Sequence, residues 1–300
     1  MDPPNVLWFA GTYAIATGSY ALLGALPESH SSAWIFVAAV AFLLVYSAAS
    51  QRLLRQGWWV PGGLAAALAV AMVPAVAVGF LRLIDVWSNN VPITDFNGRA
   101  LAVAIVTAVA GLIAYWLTRF SFLFFTVVTA ILVAAQFLAA AGGPPTGEDR
   151  ATAALAAGGL IVIAGIFLDV FGRHRDAFWF HALGWFSAAA GLVLLIVEPS
   201  GDPDRGWIPM LIVGTLIVIA AGPIRRATWA VYGVLGYYAG LLHYMDTGLD
   251  HNGWVFAVAL LAVALSIFVF GMLNHRLGGS WGQRFVRRPP PLSDYSSSSL

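Results

Sequence analysis

Runs of about twenty apolar residues recur along this chain, separated by short polar turns, and that pattern leaves few folds open. Roughly 20 mostly apolar residues are needed to cross about 30 Å of hydrocarbon. Ten such runs are present, approximately Val6–Leu26, Ala33–Ser50, Trp58–Leu81, Ala100–Leu117, Phe120–Ala141, Ala151–Phe171, Phe178–Val197, Trp207–Gly222, Thr228–Tyr244 and Trp254–Leu273. Lipid offers no hydrogen bonds, so a spanning segment must satisfy its own backbone. Barrel strands would alternate polar with apolar, and these runs are apolar all round. The sequence therefore predicts an all-α polytopic integral membrane helix bundle.

Composition agrees. The 300 residues are 60% hydrophobic and 10% charged, against about 25% charged in an average soluble domain. Cysteine is absent, which excludes disulfides, thiolate chemistry, iron–sulfur clusters and zinc–thiolate sites. All 15 basic residues are arginine, and a formal net charge of +1 gives no footprint for nucleic acid. Met1-Asp2-Pro3-Pro4-Asn5 lacks a basic n-region, so the first run is expected to be an uncleaved span.

The arginines set the orientation. The turns after runs two, four, six and eight carry Arg52 and Arg55, Arg119, Arg173 and Arg175, and Arg225 and Arg226. The end of the chain adds Arg276, Arg284, Arg287 and Arg288, making eleven on one side. Arg82, Arg99, Arg150 and Arg205 fall on the other, with most of the acids. Arginine-rich loops stay cytoplasmic. The expected topology is ten spans in five inside–outside–inside hairpins, both termini cytoplasmic. Residues 1–277 would form one transmembrane domain and 278–300 a flexible cytoplasmic tail. Leu183-Gly184-Trp185-Phe186 matches Leu235-Gly236-Tyr237-Tyr238, which points to a duplication of the fourth hairpin as the fifth. Recurrent interfacial aromatics are the plainer account of the likeness.

Pro92 and Asn97-Gly98-Arg99 lead into one run. Arg225-Arg226, Trp229, Leu235-Gly236 and His243 mark another, and the final run closes on Asn274-His275-Arg276. Over the last third of the chain and one loop these residues resemble bacterial multi-pass membrane proteins of the DUF2157/DUF2339-like kind. The resemblance implies a multi-pass protein of the bacterial cytoplasmic (inner) membrane and brings no activity with it.

An ionisable residue inside a span is costly and marks a functional site by default. The middles of these runs hold only neutral polar residues, among them Thr129, Gln136 and Tyr237. That counts against an ion-coupled carrier, which needs a midplane carboxylate. Asp169 and His181 sit near run ends on either side of Gly172-Arg173-His174-Arg175-Asp176. They are expected to meet at the cytoplasmic edge, with Asp169 held by Arg173 at i+4. The functional reading is a proton-handling or ligand-anchoring pair; the favoured one is an edge contact that supports structure. His243 lies near the outer end of the ninth run, and the topology places it and His181 near opposite faces of the membrane, so the two should not share an iron. Asp202, Asp204, Asp246, Asp250 and His251 read as solvated loops before a cation site. Small residues four apart (Ala154 and Gly158, Gly184 and Ala188, Gly236 and Gly240) read as helix packing. Pro61 and Pro74 predict a kink in the third run. No nucleotide, hydrolase or metalloprotease motif is present.

The expected protein is non-enzymatic, without cofactor or metal, partnered by the lipid bilayer and by other membrane protein subunits, and not by nucleic acid. It would serve as a structural or accessory subunit. The alternative is a permease for a neutral or lipophilic small molecule, working through a polar path past Tyr237, Gln136 and Thr129. The candidate polar positions are Asp169, His181, Arg173, Gln136, Tyr237 and His243.

Overall fold

A computed structural model describes residues 3–25, 32–87, 97–198, 204–224, 226–248, 258, 260–269 and 271–272. Among them the chain is all-α, with α1 Pro3–Ala25, α2 Ser32–Arg55, α3 Trp59–Leu83, α4 Gly98–Thr118, α5 Leu123–Ala139, α6 Gly147–Val170, α7 His174–Val197, α8 Trp207–Ile224 and α9 Ala227–Gly248. A shorter apolar helix covers Leu260–Val269. The expected tail and the acidic positions Asp202, Asp250 and His251 lie outside the described residues, and so does much of the tenth run.

Among the described residues six helices are long and apolar enough to cross a membrane: α2 over Ala33–Arg55, α3, α4, α6, α7 and α8. They mark a multi-pass membrane protein. α1 and α9 have the length, with 23 and 22 residues. α5 is apolar and shorter, at 17 residues.

The chain divides into two compact units, Met1–Pro199 and Ser200–Leu300. In the first, α3 is central and touches α1, α2, α4 and α5. Its small residues explain this: Gly62 to Val70 and Met72 are all buried. The most extensive contacts join α2 to α3, α4 to α5 and α6 to α7, and in the second unit α8 to α9. These pairs are closed by the short arginine turns. The expected hairpins paired helices across the longer acid-bearing loops, one helix out of step with the close packing. A turn of two to four residues forces the next helix back along the last one, whereas a long loop imposes no such neighbour.

Two arginine turns share one device. Gly57 and Gly172 take φ of +80° and +77°, a left-handed conformation that glycine adopts without steric cost. The following N–H then reaches the carbonyl five residues back, Trp58 to Leu53 at 3.0 Å and Arg173 to Leu168 at 2.8 Å. This Schellman closure satisfies carbonyls that the helix end would otherwise leave bare. Of the two prolines expected to kink α3, only Pro74 is interior. Pro61 lies in the first turn, where no helical N–H bond is lost. Pro74 leaves the Val70 carbonyl without its helical donor, and the Tyr20 hydroxyl donates to the adjoining Ala71 carbonyl.

Small residues bring α6 and α7 together. A Cβ on Gly158 would stand 2.6 Å from the Gly184 carbonyl oxygen, and one on Gly191 2.8 Å from that of Ala151. Ser187 donates across the gap to the Ala154 carbonyl at 2.9 Å. In the second unit a Cβ on Gly214 would clash with the backbone of Gly236 and Tyr237. The two Leu-Gly-aromatic segments thus occupy like places, each on the second helix of an arginine-turn pair. Gly158→Ala should destabilise the protein by about 1–3 kcal/mol, the usual range for overpacking. Gly159→Ala is the control, since its Cβ would meet nothing within 4 Å. Denaturant unfolding of the purified protein in detergent should rank Gly158→Ala clearly below wild type and Gly159→Ala level with it or above.

Candidate functional site

Two polar clusters flank the α6–α7 turn. In the first, Asp169 projects from the last turn of α6 and meets two histidines of α7. Its Oδ1 lies 3.0 Å from His174 Nδ1 and its Oδ2 2.8 Å from His181 Nε2. The histidines are seven residues apart and so share one face of their helix. Their surroundings differ sharply: the His174 side chain is 55% exposed, that of His181 0% and that of Asp169 17%. Gly165, one turn before Asp169, provides the notch for His181. A Cβ there would stand 3.0 Å from the imidazole Cε1.

The second cluster centres on Asp176, in the first turn of α7 and 7% exposed. The Tyr115 hydroxyl of α4 donates to its Oδ2 at 2.8 Å, and Ser121, in the α4–α5 turn, donates to its Oδ1 at 2.6 Å. Arg173 Nε donates to Oδ2 at 2.9 Å, and its NH2 group completes an ion pair at 2.8 Å. The same guanidinium donates to the Tyr115 hydroxyl and lies over the Tyr115 ring, 5.3 Å from the centroid. Its partial burial pulls the Arg173 pKa down, but bonding to Asp176 and Tyr115 outweighs this and leaves it above its ordinary value. Around the cluster Trp179 packs edge-on against Phe122 and Phe125 at 5.0 and 5.6 Å.

The sequence candidates fall as follows. Asp169 and His181 meet, but Arg173 does not serve Asp169. The reversal at Gly172 ends the helix between them, so i+4 spacing no longer puts 169 and 173 on one face. Arg173 turns to Asp176 instead. His181 is also enclosed, where the sequence placed the pair at a wet edge. Gln136 sits in the last turn of α5, at the other end of the helix bundle, and reaches the Arg150 carbonyl at 3.4 Å. Tyr237 and His243 belong to α9 in the second unit. There the Tyr237 hydroxyl is 3.0 Å from Ser266 Oγ, and His243 stacks on Trp207 with centroids 4.3 Å apart and planes 7° from parallel.

Sequence reasoning missed Asp176, Tyr115, Ser121 and His174. The heptad spacing of His174 and His181 was a usable signal. No local signal ties Tyr115 or Ser121 to Asp176, because the partners are 61 and 55 residues apart.

Cavities open in the first unit among the described residues, and two are well formed. One of about 660 Å³ lies between α1, α2 and α3, and one of about 300 Å³ is lined by residues including Tyr20, Pro74, Thr107, Thr126 and Thr129. Neither is lined by a residue of the two clusters. Among the described residues no three histidine, aspartate or glutamate side chains converge to hold a metal. A carboxylate between an exposed and a buried imidazole can fix ring orientation and exchange a proton. A carboxylate taking three donors acts as a fastener.

No protein-family model, no curated protein and no solved structure matches this chain.

Two measurements test the clusters. Asp176→Ala leaves the half-buried Tyr115 and Ser121 donors without their acceptor and should cost about 1–3 kcal/mol; Tyr115→Phe removes one neutral partner and should cost about 1 kcal/mol. Both values are read from denaturant unfolding in detergent. Double-mutant cycles should give Asp169 and the enclosed His181 a coupling within about 0.5–3 kcal/mol. The exposed Asp169–His174 contact should stay at or below about 1 kcal/mol. Equal couplings would contradict the burial difference.

Proposed function

We propose that this chain is a non-enzymatic integral membrane protein, a structural or accessory subunit of a complex in a bacterial inner membrane. One observation carries the reading: several buried polar side chains of the first unit fasten helix to helix. Asp176 collects donors from α4, from the α4–α5 turn and from Arg173. Ser50 of α2 donates to the Gly62 carbonyl of α3 at 2.8 Å, and Ser187 joins α7 to α6. Outward-facing surfaces are apolar, with Leu160 68%, Phe167 59% and Trp116 68% exposed, suited to lipid or to the helices of another subunit. The proposed topology is ten spans with both termini cytoplasmic, supported by the eleven-to-four arginine division.

A permease for a neutral or lipophilic molecule is the second reading, favoured by the 300 Å³ cavity. Of the three residues expected along its path, Thr129 lines that cavity and Gln136 does not.

Reporter fusions after Arg150 and after Arg288 should give opposite signals; equal signals would overturn the topology. Extraction in mild detergent should yield a particle containing a second polypeptide in fixed stoichiometry. A lone chain that moves a lipophilic solute across reconstituted vesicles would favour the permease instead.

A further inference from the structure

The 660 Å³ cavity is a groove with one face on α1 (Trp8, Gly11, Ile15) and another on α2 (Val45, Ala49, Leu53). Leu64 and Leu68 of α3 form its floor. Its volume lies inside the range of about 300–1,000 Å³ typical of ligand sites. Its polar side chains are already engaged. The Thr12 hydroxyl donates to the Trp8 carbonyl at 2.8 Å, and the Tyr46 hydroxyl bonds Ser19 Oγ at 2.5 Å. The groove thus presents hydrocarbon to whatever enters it.

Its length and its mouth define the occupant. From Val45 to Leu53 is eight residues, about 12 Å at 1.5 Å per residue. One leaflet of a roughly 30 Å hydrocarbon core is about 15 Å deep. The groove therefore runs from the arginine end of the bundle to near mid-depth. Trp8 and Trp58 meet edge-on at 6.4 Å at that end, in the belt that tryptophans favour at membrane interfaces. Arg52 and Arg55 occupy the last turn of α2 and are exposed. Arg52 follows Val45 by seven residues, so it continues the stripe that lines the groove. Neither arginine is ion-paired among the described residues.

We infer that this groove is a binding site for an anionic phospholipid, with one acyl chain between α1 and α2 and the phosphate-bearing headgroup at Arg52 and Arg55. The inference needs only a bundle lying in a bilayer and is independent of whether the protein is a subunit or a permease. Basic side chains at the headgroup level attract anionic lipid, and long arginine side chains reach the interface from just below it.

The test uses the full chain in nanodiscs of phosphatidylcholine doped with a phospholipid carrying a diazirine on one acyl chain. The probe bears either a phosphatidylglycerol or a phosphatidylcholine headgroup, and adducts are located by peptide mass spectrometry. The glycerol probe should concentrate on α1 and α2 beyond the exposed control positions Leu160 and Phe167. Its preference over the choline probe should be roughly fivefold per arginine, the factor that ~1 kcal/mol corresponds to. Arg52→Gln with Arg55→Gln should remove that preference. Gly11→Phe should clear adducts from the groove and leave those on α6, and its Cβ enters open space, with nothing within 4 Å. Ala49→Leu is the second filling variant, and monodisperse elution checks folding of both. Equal labelling by the two headgroups, adducts spread evenly over the exposed surface, or groove adducts that survive both filling variants would each overturn the inference. So would an unlabelled groove, the result expected if a second copy or another subunit's helix covers it.

Discussion

Hydrocarbon cannot hydrogen-bond, and nearly every feature of this protein follows from that. The backbone closes on itself as helices. Side-chain hydroxyls fold back on the carbonyl one turn earlier, as at Thr107 and Thr215, or reach the next helix, as at Ser50 and Ser187. Water gives no drive to bring two apolar helices together here, so close approach and interhelical hydrogen bonds supply the cohesion. Gly158, Gly184 and Gly191 between α6 and α7, and Gly214 and Gly233 between α8 and α9, are among the positions where a single added methyl group would be felt.

The arginine turns also shape the packing. Gly57 and Gly172 reverse the chain within two or three residues, which makes antiparallel neighbours of α2 and α3 and of α6 and α7. The turn at Gly172 also decides which carboxylate Arg173 meets. It lies beyond the end of α6, so its guanidinium serves Asp176 and Tyr115 while Asp169 is left to two histidines. Charged groups thereby collect at the helix ends, where water and headgroups reduce their desolvation, and the span centres remain neutral.

That division bears on function. Asp176 collects its donors at one end of the bundle, and the cavities of about 660 and 300 Å³ are bounded mostly by apolar walls. The α1–α2 groove is proposed to hold lipid, and the exposed apolar faces are proposed to meet lipid or the helices of a partner.

The sequence by itself determined the helical membrane class, most span positions and the arginine turns, because each depends on local composition and on the length a bilayer demands. It also placed Asp169 beside His181, since both lie within two turns of one reversal. Only tertiary structure decided the rest. Tyr115 and Ser121 reach Asp176 across more than fifty residues of sequence, and no periodicity encodes which helices become neighbours. His181 looked like an edge residue by its distance from the turn, yet the missing side chain of Gly165 on another helix encloses it. α3 reads as one apolar run among ten and becomes the buried centre of its unit, because its alanines and glycines let other helices close around it. Hydrophobicity places a helix in lipid; shape and hydrogen-bond complementarity choose its neighbours.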